Sequence, residues 1–117
     1  MLRRRIEREE ALLAQNTERR DEGRVVVSFH RINACFSIKF AAPAECAFAA
    51  QVFRLECTLD ESFPYEPPAF RFGGDAPPHP AYADADVMRA TLRAMHDAET
   101  PCASLVEWVR RIVASLK

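Results

Sequence analysis

Three prolines crowd into six residues of the stretch FPYEPPAFRF, Phe63 to Phe72, directly after a run that alternates like a strand. Proline has no backbone donor and fixes φ, so Pro64, Pro67 and Pro68 are barred from the middle of a sheet. They mark a rigid crossing between two strands, and the rest of the chain has to be organised around it.

On the upstream side, QVFRLECTL (51–59) sets Phe53, Leu55, Cys57 and Leu59 inward and Arg54, Glu56 and Thr58 outward. Cys57 is therefore a core residue, not a nucleophile. Before it, ACFSIKF (34–40) puts Ala34, Phe36, Ile38 and Phe40 on one face and Cys35, Ser37 and Lys39 on the other. RVVVSFH (24–30) reads as a first strand, with Val25, Val27 and Phe29 alternating against Val26 and Ser28. On the downstream side AFRF (69–72) supplies a short fourth strand, and the turn-rich GGDAPPHPAYADAD ends the sheet.

Helical patterns flank this meander. LRRRIEREEALLAQN (2–16) is amphipathic, with Leu2, Ile6 and Leu13 at helical spacing, and the polar Thr17 to Gly23 closes it. VMRATLRAMHDAE (87–99) reads as helix, with Asp84 or Asp86 as N-cap and Val87, Thr91 and Met95 at helical spacing. The last segment, TPCASLVEWVRRIVASLK, has Pro101 near its first turn and Leu105, Trp108, Ile112 and Leu116 as an inward stripe. The order predicts an α+β fold: an N-terminal helix, a four-stranded antiparallel meander, the proline-rich crossing and a C-terminal helix packed on the sheet. With 117 residues, 49% hydrophobic and 28% charged, one domain spanning 1–117 is expected.

Charge and cysteine usage narrow the function classes. The formal charge is -1, and the seven arginines of the first 24 residues are nearly cancelled by six acids. This gives no basic field for nucleic acid. No run is long and apolar enough for a membrane, and MLRRRIEREE lacks the apolar core of a secretory signal, so a soluble cytoplasmic or nuclear protein is expected. The four cysteines, at 35, 46, 57 and 102, form no CxxC pair and have no histidine at zinc spacing. Reduced, mostly buried thiols are expected, with no metal and no cofactor. The connection AAPAECAFAA (41–50) is either an apolar partner-facing patch or a tight turn built from small residues.

Taken together, the order and the prolines resemble the ubiquitin-conjugating enzyme fold, shared by active enzymes and their inactive variants. The resemblance spans nearly the whole chain. Arg5-Ile6 with Glu9 or Glu10 is similar to the family's first helix, Phe36 to the aromatic opening its second strand, and Ala47 to Leu55 to the start of its third. Phe63-Pro64-Tyr65-Glu66-Pro67-Pro68 with Phe72 matches the family's aromatic-Pro-aromatic-x-Pro-Pro and following strand. That match implies a rigid loop exposing Tyr65 to ligases. The family follows its fourth strand with His-Pro-Asn and, about ten residues beyond the histidine, a catalytic cysteine.

Here His79-Pro80 is followed by Ala81, and residues 87–92 read Val, Met, Arg, Ala, Thr, Leu. The Asn that steadies an oxyanion and the thiolate that accepts ubiquitin are both absent. His79 is then a structural histidine bonded within its loop. Thr100-Pro101-Cys102-Ala103 resembles the start of the family's second helix, which makes Cys102 the one alternative acceptor. The chain stops where this helix ends, implying that the last two helices of active enzymes are missing.

The resemblance thus implies a pseudo-enzyme that binds proteins as part of a hetero-oligomer: a partner of an active conjugating enzyme, or an adaptor for ubiquitin or a peptide. Arg3, Arg4, Arg5 and Arg8 are a candidate docking helix, with a solvated helix face carrying local pairs such as Arg5 with Glu9 as the plainer reading. Two alternatives stand beside it. One is the related RWD docking module of kinetochore or ligase assemblies, and the other is a divergent enzyme using Cys102.

Overall fold

The computed structural model describes residues 2–47, 49, 51–63, 65–96 and 104–116. Helix α1 spans Leu2–Glu18, followed by strands β1 (Ser28–Ile32), β2 (Cys35–Ala41), β3 (Val52–Thr58) and β4 (Ala69–Phe72). A 3-10 turn at Pro80–Tyr82 leads into α2 (Ala85–Met95), and α3 (Leu105–Ser115) comes last. The sheet order β1-β2-β3-β4 is a pure antiparallel meander, so the architecture is α+β, as the pattern predicts.

Alternation does the sorting. Phe36, Ile38 and Phe40 of β2 and Phe53, Leu55 and Cys57 of β3 are all buried, and Trp108, Val109 and Ile112 of α3 are fully buried with them. Phe70 and Trp108 stand 5.9 Å apart, which places α3 on the inner face of the sheet. Phe40, Phe53 and Phe72 form a ring cluster at 5.9 to 6.4 Å, within the range where tilted aromatic pairs add to area burial. The inward stripe Leu105, Trp108, Ile112, Leu116 is buried as its spacing predicts. Ser104 is the N-cap of α3, and Pro101 lies outside the described residues.

Four expectations are corrected. Strand β1 begins at Ser28, not Arg24, and the buried valine is Val26, while Val27 is 40% exposed. The cause is Asn16: its Oδ1 accepts from Val25 N and Val26 N, both at 2.9 Å, and its Nδ2 donates to the Gly23 carbonyl at 3.0 Å. Arg24 adds bonds to the carbonyls of Val26 and Val27, so backbone groups a ladder would use are already taken. Helix α1 runs through Thr17 and Glu18 before the polar segment ends it.

In α2 the buried residues are Met88 and Leu92, one position on from the Val87-Thr91-Met95 stripe. Asp84 is the N-cap, its carboxylate accepting from Val87 N at 2.8 Å, and that fixes the helix's rotation. Of the three described thiols one alone is buried: Cys57 is buried, Cys46 intermediate and Cys35 exposed, because Cys35 occupies an outward position of β2. Burial pushes the Cys57 thiol far up, with Cys35 and Glu9 adding to the shift.

Among the described residues no helix is long and apolar enough to cross a membrane. Among the described residues of the 41–50 connection, Cys46 N donates to Pro43 O and Ala49 N to Cys46 O, each at 3.2 Å and each closing a turn. Ala42 is buried, while Ala44, Ala47 and Ala49 are exposed.

Candidate functional site

The proline crossing is built from its own turns. Asp60 opens it by accepting Ser62 N at its carboxylate (2.8 Å) and Phe63 N at its carbonyl (3.2 Å), and Glu66 N then donates to Ser62 O at 3.0 Å. Phe63 points inward and is 5% exposed. Tyr65 points outward and is 75% exposed. Pro67 is half-buried and Pro68 buried, which anchors the return into β4, and Pro64 lies outside the described residues.

The buried anchor is held from α1. The Arg5 guanidinium lies 4.7 Å from the centre of the Phe63 ring, within cation–π range. Its Nε is also 3.3 Å from the Glu9 carboxylate, which is fully buried. Glu9 in turn accepts the Leu105 N–H at 2.6 Å, satisfying one of the orphan donors at the start of α3. Burial raises the Glu9 carboxyl above the usual carboxylate range, against the pull of Leu105 N–H, Arg5 and Arg8. Of the four arginines proposed as a docking surface, Arg3, Arg4 and Arg8 face solvent while Arg5 is spent inside the molecule. Arg3 is paired with Glu7 at 3.5 Å.

The His79 loop lies at the start of α2. Nδ1 of His79 accepts the Ala81 N–H at 3.1 Å, capping the Pro80–Tyr82 turn, so the ring is used within its own loop. Tyr82 is buried, stands edge-on to Phe72 at 5.4 Å, and its hydroxyl meets that of Ser115 on α3. Burial raises the Tyr82 phenol and the Ser115 bond opposes it. Ala81 offers only its backbone.

Two residues without any identifiable partner in the sequence tie these loops together. In the middle of α2, the Thr91 hydroxyl lies 2.9 Å from the Ala81 carbonyl and equally from that of Val87, one turn back. At its end, Nε2 of His96, the C-cap of α2, meets the Tyr65 carbonyl at 2.8 Å and so must carry a proton there. The His96 ring also stacks on Trp108, 6.2 Å away and inclined by 10°. Helix α2 thus holds the His79 loop and the crossing in one frame. Between the crossing and α2 opens a cleft of about 540 Å³, with Tyr65, Pro67 and Pro68 on one wall and Arg89, Arg93 and His96 on the other. No sequence signal finds Thr91 or His96, because both bonds end on backbone carbonyls distant in the chain.

Cys57 lies in the core, Cys35 on the outer sheet face with Sγ 3.3 Å from Thr58 Oγ1, and Cys46 in the 41–50 connection. Cys102 lies outside the described residues. No group of three or more metal-ligating side chains occurs among the described residues.

No protein-family model matches the chain, and no curated protein matches it. Among solved structures it is similar to one titled "Ubiquitin conjugating enzyme (putative) from Trypanosoma cruzi", at 22% sequence identity with a TM-score of 0.47, covering 59% of this chain and 49% of the other. The chain therefore spans about half the length of that structure.

Proposed function

We propose that this chain is a non-catalytic domain of the ubiquitin-conjugating type that works by binding protein through the proline crossing. Its partner is an active conjugating enzyme, or it acts as an adaptor for ubiquitin or a peptide. The observation that carries the reading is the division of labour in Phe63–Tyr65: one aromatic is clamped under Arg5 and the next is 75% exposed on a turn fixed by prolines. An exposed, rigidly held tyrosine loses little entropy on binding, which favours it as an interface anchor.

The chemistry beside it supports binding over catalysis. The His79 ring is committed to Ala81 N–H, Ala81 has no side-chain donor, and α2 offers no thiol next to the cleft. Acyl transfer needs a thiolate nucleophile and a donor for the developing oxyanion.

Incubation of the purified chain with activating enzyme, ubiquitin and ATP is expected to give no adduct that reductant removes. A reducible adduct abolished by Cys102→Ala would overturn the reading in favour of a divergent enzyme. In parallel, immobilised chain is presented with purified conjugating enzymes and with ubiquitin, and Tyr65→Ala is expected to reduce whichever capture is seen.

A further inference from the structure

The outer face of the sheet carries more positive charge than its own carboxylate pairs. Lys39 of β2 and Arg54 of β3 are directly opposite each other in the ladder, and like charges at such a pair destabilise a sheet. Further along the same face Glu56 is opposite Ser37 on β2 and Arg71 on β4. Its carboxylate reaches Arg71 at 2.6 Å and Arg54 at 3.6 Å. Three cations thus stand with one carboxylate on this face, and that carboxylate is reached by Arg71 and Arg54, on a chain whose formal charge is -1. The Arg54 guanidinium lies against Gly73, where any Cβ would collide with it, so the missing side chain leaves room for that charge.

Next to this strip the same face is hollowed. A depression of about 400 Å³ is lined by Ile32, Cys35, Thr58, Ala69 and Arg71, among others, and Ile32 is 68% exposed at its edge. α3 packs on the opposite face, against Phe70, and among the described residues no helix covers this one.

We propose that the outer sheet face docks an acidic protein segment, its carboxylates lying over Lys39, Arg54 and Arg71 and one apolar side chain entering the hollow beside Ile32. The arriving anions relieve the Lys39–Arg54 repulsion, so a standing cost in the free protein becomes a gain in the complex. A nucleic acid fits the face poorly. Glu56 sits among the cations and would face phosphates, three cations are few against the roughly six to ten phosphate contacts typical of such binders, and among the described residues of this face His30 is the one exposed aromatic ring, too few for a run of stacked bases. The proposal is independent of the role assigned to the crossing.

The test is fluorescence anisotropy with a labelled poly-glutamate peptide carrying one central leucine, against the same peptide with glutamine for glutamate and against an oligonucleotide of equal length. The glutamate peptide is expected to bind, and to bind more weakly as salt rises. Lys39→Glu is expected to weaken binding about tenfold, while Arg20→Glu, the same charge change outside the sheet, leaves it alone. Because Lys39→Glu places opposite charges across the ladder, the variant remains folded, and its urea midpoint separates lost binding from lost structure. Equal binding of the glutamate and glutamine peptides, equal weakening by both charge reversals, or tighter binding of the oligonucleotide would overturn the proposal.

Discussion

The Glu9 carboxylate, fully buried in α1, accepts the backbone N–H of Leu105 across 96 residues of chain. One side chain thereby joins the first helix, the start of the last helix and, through Arg5 and Phe63, the proline crossing.

Replacing Glu9 by alanine leaves the Leu105 N–H without its acceptor and is expected to cost about 1 to 3 kcal/mol. The pH dependence has a definite sign. Because burial raises this carboxyl above its ordinary value of 4.5, the folded state holds the proton more tightly than the unfolded one. The resulting stabilisation is complete below that value and is lost as pH rises through the folded-state value. Glu9→Gln keeps an acceptor but cannot titrate, so the difference in urea midpoint between wild type and variant should change across this window and level off above it.

Asn16 makes three hydrogen bonds that shape the approach to β1. Asn16→Ala orphans two N–H groups and a carbonyl and is expected to lose about 2 to 4 kcal/mol. Asn16→Asp keeps the two acceptor bonds but sets an acceptor against the Gly23 carbonyl, and is expected to fall between. Thermal or urea unfolding of the three proteins ranks them.

The His96 ring bonds the Tyr65 backbone carbonyl, yet substitutions of the two residues should behave differently. Tyr65→Ala removes an exposed ring and is expected to stay within about 0.5 kcal/mol of wild type while reducing partner capture. His96→Ala removes the bond to the Tyr65 carbonyl and the stack on Trp108. It is expected to speed amide exchange at Glu66 and to weaken capture while the Tyr65 ring itself is kept.

Thiol labelling of the native protein, read residue by residue by mass spectrometry, is expected to find Cys35 first and Cys57 only on unfolding. Exposure orders the two sites, and burial pushes the Cys57 thiol up, away from the reactive thiolate. Labelling of Cys57 under native conditions would contradict the packing described.

Much of this architecture is legible in the sequence because period-two alternation in β2 and β3 is clean, and the crossing's prolines cannot belong to a strand. The stripe of α3 is equally plain, since Leu105, Trp108, Ile112 and Leu116 keep one face. What the sequence withholds is tertiary. Three adjacent valines fit either register, and only the Asn16 clamp decides that Val26 is buried. Both Val87-Thr91-Met95 and Met88-Leu92 fit a helix, and the Asp84 cap with the packing of α2 on β4 and the Pro80–Tyr82 turn chooses between them. Glu9 reads as one charge among many until α3 is placed over it. His96 reads as an isolated ring until the crossing folds against it.

The meander also has a kinetic meaning. Every strand pairs with its neighbour in sequence, so each pairing closes only a short loop, and the sheet can assemble with little loop entropy lost. The Glu9–Leu105 bond is the opposite case, closing nearly the whole chain. The two terminal helices should therefore lock late in folding and release early under denaturant, as a clasp over a sheet already made, so amide protection in α1 should fail before protection in β2 and β3.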